Sequence, residues 1–211
     1  MTTITKDKIC EAAIHIASRD GLLTMTLENV AREAGITKGG VMYHFPSKDE
    51  LVRGVIEYFS QQCETMLMRR VVDDPEPRMR WARCMLDCLF PQNDKSKLVD
   101  DYPADVLARF FVATLTAAVT SPGAMQPLRD LAAKMRSRCL SDPSEGMEQL
   151  LVWLTIDGLL LWQFMGLIRS DDVLIQQVGD ALRLRVAAQM QASKLSESAK
   201  LTSLIFEETA I

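Results

Sequence analysis

Three helix-start signals crowd into the segment from Thr26 to Ser47, and no other stretch of this chain restricts its fold as tightly. Thr26 precedes Leu27, Val30, Ala31 and Ala34, an apolar series at helical spacing, and Gly35 supplies the left-handed residue that closes a helix. Thr37 is placed to cap a second short helix. In it Val41 and Phe45, four apart, turn inward, while Lys38, Gly39, Gly40, Met42, Tyr43 and His44 are left for the other sides. Ser47 with Glu50 three residues on has the form of a capping box and opens a third helix, whose first turn holds Lys48. Free backbone N–H groups and the helix dipole favour an anion such as phosphate there. Gly39 and Gly40 each cost a helix about 1 kcal/mol against alanine, so their place near a helix start calls for close approach by a partner. The segment therefore reads as a helix-turn-helix head suited to a DNA groove.

These residues resemble the TetR-type bacterial transcriptional repressors. The matching positions are Thr26, the Ala34-Gly35 turn, Thr37-Lys38-Gly39, Tyr43-His44-Phe45 and Lys48-Asp49, within about the first quarter of the chain. The resemblance implies base contacts from Lys38 and the backbone around Gly39, Gly40 included, and phosphate contacts from Thr26, Thr37, Tyr43, His44 and Lys48. Two positions depart from the pattern. Met42 stands where the family often has a second tyrosine, and Gly40 where a polar side chain is frequent. One phosphate contact and one base contact are thus expected to be missing.

Charge sets the terms of any DNA contact. The chain of 211 residues carries a net charge of -4, against the broad basic field of a general nucleic-acid coat protein. Residues 1–55 hold seven basic residues (Lys6, Lys8, Arg19, Arg32, Lys38, Lys48, Arg53) and seven acidic ones (Asp7, Glu11, Asp20, Glu28, Glu33, Asp49, Glu50). Binding must rest on a local positive face and on helix N-termini, with weak affinity for random DNA, as befits a site-specific regulator. The five cysteines, Cys10, Cys63, Cys84, Cys88 and Cys139, form no C-x-x-C pair and no secretory leader is read at the start, so a reducing cytoplasm is expected. The apolar run from Leu150 to Ile168 has spanning length, but Asp157 at its middle and Gln163 argue for a buried dimer helix and against a membrane span. No nucleophile with a basic partner, metal-ligand spacing or phosphate-binding glycine loop is visible, so no enzyme, metal or cofactor is expected.

Helical periodicity recurs along the whole chain and no run alternates like a strand, so the fold is read as all-α. A first helix from about Lys6 to Arg19 supports the reading pair, and a long fourth helix from Lys48 to about Val72 links head to body. Breaks at Asp73–Pro77, Pro91–Asp94, Ser121–Gly123, Ser141–Pro143 and Ser170–Asp172 divide the rest into about five helices. The expected organisation is a DNA-binding head over 1–52, an effector-binding and dimerisation body over 53–193, and a tail over 194–211, which could be a short docking helix or a frayed end. The last two long helices, about Ser144–Ile168 and Asp172–Ser193, carry more apolar surface than one chain can cover. The resemblance implies that they pair with their mates in a four-helix bundle of a homodimer, with Gly158, Leu161, Met165, Leu182 and Val186 at the interface. Two recognition helices about 34 Å apart would then read a near-palindromic operator.

For a small, lipophilic effector, Trp81, Met85, Phe110, Phe111, Trp153, Asp157 and Trp162 are the candidate pocket residues. Six are large, soft or aromatic, and Asp157 is the candidate counter-charge for a cation. A different switch is also open: Cys84 and Cys88, four apart on one helix face, could sense thiol oxidation or a soft metal.

Overall fold

The computed structural model describes residues 2–90, 104–169 and 171–208. In chain order it comprises α1 (Thr2–Asp20), α2 (Leu27–Ala34), α3 (Lys38–His44), α4 (Lys48–Asp73), α5 (Arg80–Leu89), α6 (Ala104–Thr120), a 3-10 turn (Pro122–Met125), α7 (Gln126–Cys139), α8 (Gly146–Phe164) and α9 (Val173–Glu208). The fold is all-α, with no strand among the described residues. Among the described residues five α-helices follow α4, in line with the breaks; the break at 91–94 lies outside the described residues. The last helix runs unbroken past residue 194, so the expected tail continues α9 through Glu208.

The first core joins head to body. Ile9, Ile14 and Ile16 of α1, Val41 and Phe45 at α3, and Leu51, Ile56 and Phe59 of α4 pack in one apolar cluster with Phe110, Ala113 and Ala117 of α6 and Met125 of the 3-10 turn. The Phe59 and Phe110 rings stand 5.0 Å apart. Ser121 adds a polar tie, its hydroxyl donating to Asp49 Oδ1 at 3.1 Å. Phe110, expected at an effector pocket, is instead wholly buried in this shared core. Apolar packing beneath α1 and α4 claims it first, as a helical apolar stripe does before any ligand can.

A second cluster binds α5, α8 and α9: Met79, Ala82, Leu86, Val152, Ile156, Leu182 and Val186. Two residues expected at the dimer interface lie in this cluster. Leu182 and Val186 keep only 8% and 3% exposure inside a single subunit, where they pack against α5 and α8. The α9 positions left outside are Ala181, Leu184 and Ala188, on the opposite side of the helix. A third cluster, with Leu67, Val71, Cys84, Cys88 and Met135 at its centre, joins α4, α5 and α7.

The joint between α4 and α5 is held by polar groups from far along the chain. Met79, buried and left-handed at φ 50°, turns the backbone into α5, which has no cap of its own. Glu145, just before α8, accepts from the Met79 N–H at 2.6 Å and from the Ser193 hydroxyl of α9 at 2.9 Å. Gln149 one turn on accepts from the Trp81 N–H at 2.9 Å. The first-turn donors that every helix leaves open are thus satisfied by a neighbouring helix. Arg83 reaches back to Asp74 at 2.6 Å and, with burial pushing the other way, helps hold that carboxyl below its ordinary pKa. Glu145→Ala strips a charged acceptor from a buried N–H and is expected to cost about 2 to 3 kcal/mol. Urea unfolding checks it; a midpoint equal to wild type would remove Glu145 from the account of this joint.

Candidate nucleic-acid interface

The head's geometry follows from its caps. Thr26, extended at φ -126° and ψ 156°, accepts from the Asn29 N–H at 3.2 Å, and Asn29 Oδ1 accepts in return from the Thr26 N–H at 2.9 Å. Asn29 is therefore the reciprocal capping partner, a role the sequence reading gave to no residue at this helix. Gly35 closes α2 in the left-handed region at φ 68°, and the Ile36 N–H bonds to the Ala31 carbonyl at 3.0 Å. Thr37 caps α3 by accepting from the Gly40 N–H at 3.1 Å. Ser47 caps α4 by accepting from the Glu50 N–H at 3.1 Å, but the Glu50 carboxylate goes to Arg53 at 2.6 Å.

Val41 is buried and anchors α3, so the opposite side faces out. Gly39 lies near the middle of that outer side. Met42 and Tyr43, three and four residues on, stand one turn further along on either flank, 45% and 77% exposed. The His44 ring meets that of Tyr43 edge-on at 5.1 Å. Lys38 is exposed and only loosely held, its ammonium 4.0 Å from Glu28. Lys48 is engaged differently, donating to the Leu23 carbonyl at 2.7 Å and bracing the turn before α2 against the start of α4. Two of its three donors stay open to a phosphate. The Thr37 hydroxyl is spent as an acceptor, which leaves its own proton to donate. Thr26, Thr37, Lys38, Gly39, Tyr43 and Lys48 are all exposed, with Gly40 and His44 half-buried beside them. The neutral balance of the head is resolved locally: Arg19 pairs with Asp20 and Glu33, and Arg53 with Glu50.

The glycines separate packing from partner contact. Neither Gly39 nor Gly40 has positive φ. A Cβ on Gly39 would meet nothing closer than Thr37 Oγ1 at 3.9 Å, and one on Gly40 would sit 3.4 Å from that atom. Side chains therefore fit at both positions, and nothing inside the molecule calls for glycine. Gly54 is the opposite case, since a Cβ there would lie 2.3 Å from Cε1 of Phe45.

The body does not gather the seven pocket candidates into one cavity. Trp81, Met85 and Trp153 flank the third cluster, with Arg138 5.5 Å over the Trp81 ring. Asp157 sits beside them, hydrogen-bonded by Trp153; although part of the residue reaches solvent, surrounding protein pushes its carboxyl up to about 6 against that bond. Phe111 is half-buried on α6, and Trp162 is 53% exposed on the outside of α8. An open hollow of about 510 Å³ lies instead along α4, lined among the described residues by Gln61, Glu64, Thr65, Met68, Arg69, Val72 and Asp73. None of the seven candidates lines it. Glu64 there is partly buried, which raises its pKa, but Lys134 at 3.1 Å and Arg138 at 2.8 Å outweigh this and hold it low.

The thiols are poorly placed as a switch. Cys84 and Cys88 are buried, and burial pushes them up to about 12 and 11, Asp74 adding to the effect at Cys84. Thiolate, the form that reacts and binds metal, is scarce at neutral pH in such surroundings. Among the described residues no group of three or more His, Cys, Asp or Glu could hold a metal ion, and no helix is long and apolar enough to cross a membrane.

A second outward surface runs along α8. Met147, Leu151, Leu154, Trp162 and Met165 are 43% to 61% exposed in one stripe, with Gly158 open in its middle and Leu161 half-buried at its edge. On α9 Leu184 and Leu195, both 73% exposed, share one side of the helix with Ala181 and Ala188.

Two family models match the chain: "Bacterial regulatory proteins, tetR family" over residues 9–55 and "Tetracyclin repressor-like, C-terminal domain" over residues 79–187. The HTH-type transcriptional regulator SrpR of Pseudomonas putida is 36% identical over 52 residues, 25% of this chain and 24% of that protein. The chain spans less than half the length of the curated relatives it matches. Among solved structures, a transcriptional regulator from Rhodococcus sp. Rha1 superposes with a TM-score of 0.66 at 20% identity, over 89% of this chain and 96% of that one. The multidrug binding protein EbrR complexed with ethidium superposes with a TM-score of 0.56 at 19% identity, over 86% and 98%.

Proposed function

The chain belongs to the tetR family of bacterial regulatory proteins, and we propose that it acts in the cytoplasm as a dimeric repressor that binds a near-palindromic operator and is released by a small effector. The paired glycines carry this reading. In a seven-residue helix they give up stability without serving any internal contact, which makes sense where a nucleic-acid backbone or base edge comes against α3. Lys38 and the backbone at Gly39 and Gly40 read bases; Thr26, Thr37, Tyr43, His44 and Lys48 hold phosphates. The apolar stripes of α8 and α9 supply the dimer, with Leu154, Gly158, Met165 and Leu184 at its centre, and the second copy sets the half-site spacing.

The effector is small and lipophilic. Asp157, with the Trp153 indole beside it and no basic partner among the described residues, favours one bearing positive charge. Its binding shifts the population toward a body packing that moves α4, and α4 carries the head with it. Because α6 and the head share one core, a displacement of either is felt by the other. Differential affinity of a few kcal/mol between the two states suffices.

Selection of bound sites from random DNA tests the reading directly; failure to enrich any sequence would end it. On the selected site, Lys38→Ala is expected to lose affinity and base discrimination together. Lys48→Ala should weaken all sequences alike and flatten the salt dependence by about one unit of slope. Equal losses on operator and random DNA for Lys38→Ala would take base reading away from that residue.

A further inference from the structure

We infer that Met42 is a specificity-determining residue that reads the 5-methyl group of a thymine in each half of the operator. This rests on the DNA-binding reading above and goes beyond it, since Met42 takes the place of a phosphate-contacting residue and has no role in that account.

Three observations lead to it. Met42 is 45% exposed on the outer side of α3 and belongs to none of the three apolar clusters of the described residues, so its thioether is not taken up by the subunit's cores. It lies three residues beyond Gly39 and four beyond Lys38, on the part of the helix given to base edges. Gly39 has no side chain, and a Cβ there would meet nothing closer than Thr37 Oγ1 at 3.9 Å, so the space beside Met42 is left clear for a close partner.

Side-chain chemistry then selects the partner. Methionine donates no hydrogen bond, and its sulfur is a weak acceptor. A phosphate offers such a chain nothing. In the major groove the base pairs present donors, acceptors and a single apolar group, the thymine methyl. An exposed, flexible, polarisable chain on a groove-facing helix gains free energy there only by covering that methyl. The substitution that removes the usual polar contact at this position thus supplies a different discrimination.

The test uses the full chain and its selected operator, with each thymine replaced in turn by uracil, which lacks only the methyl. Absence of any selected operator would count against the DNA-binding reading itself; the arms below address Met42 alone. Wild type is expected to bind about fourfold more weakly when the critical thymine of one half-site is replaced, and about fifteenfold more weakly when those of both half-sites are. Met42→Ala, a change at an exposed position, should bind the thymine and uracil operators alike. Tolerance of uracil by wild type at every position overturns the inference. So does a Met42→Ala protein that keeps the wild-type preference for thymine.

Discussion

Gly54→Ala should cost the protein about 2 to 3 kcal/mol of stability and most of its operator affinity, through a single added methyl group. The Cβ would lie 2.3 Å from Cε1 and 3.1 Å from Cδ1 and Cζ of Phe45, well inside contact distance. A flexible chain end could swing away, but Phe45 is 3% exposed and its ring is wedged among α1, α3 and α4, with Lys6 Nζ 5.8 Å from its centroid. The strain must be relieved by moving α3 relative to α4, and α3 is the helix proposed to meet DNA. Because the same core includes Phe110 and Ala117 of α6, the loss should appear in the main unfolding transition and not as a separate melting of the head. Thermal unfolding and a gel-shift titration measure the two effects. Phe45→Leu made together with Gly54→Ala should recover part of the stability, with more than about 1 kcal/mol of coupling in a double-mutant cycle. Strict additivity, or an unchanged midpoint for Gly54→Ala alone, would show that the ring has room to retreat.

That contact also marks the limit of what the sequence tells. The caps at Thr26, Thr37 and Ser47, the left-handed Gly35 and the inward Val41 and Phe45 are local, set within one helical turn, and local chemistry was enough to place them. Spacing shows that a helix has an apolar side, but not which neighbour covers it. Phe110 was therefore legible as a large apolar residue but not as part of the core under α1. Leu182 and Val186 were legible as apolar, yet which side of α9 turns toward α5 and α8 depends on packing across about a hundred residues of chain. Glu145 escaped notice altogether. A lone acid before a helix carries no signal that it caps Met79, 66 residues away. Met42 was visible only as a departure from a pattern; its exposure beside a bare glycine gives it chemistry.

Leu154→Glu is expected to turn the proposed dimer into a folded monomer and to weaken operator binding by about two orders of magnitude or more, as the second head ceases to be held at the next half-site. In one subunit Leu154 is 56% exposed, four residues before the open Gly158, so a carboxylate there stays in water and subunit stability should change by no more than about 0.5 kcal/mol. In an isologous pair the substitution appears twice on facing helices, and each charge loses its solvent with no basic residue along the stripe from Met147 to Met165 to answer it. Two uncompensated charges, at several kcal/mol each, exceed what the remaining apolar contact can restore. Leu182→Glu supplies the contrast. At 8% exposure inside the subunit it should unfold the chain and not merely separate two copies, which distinguishes the outward side of the α8–α9 pair from its inward side. Sedimentation of both variants alongside circular dichroism reads the difference. If Leu154→Glu sediments as wild type does, the exposed stripe on α8 is not where the two copies meet.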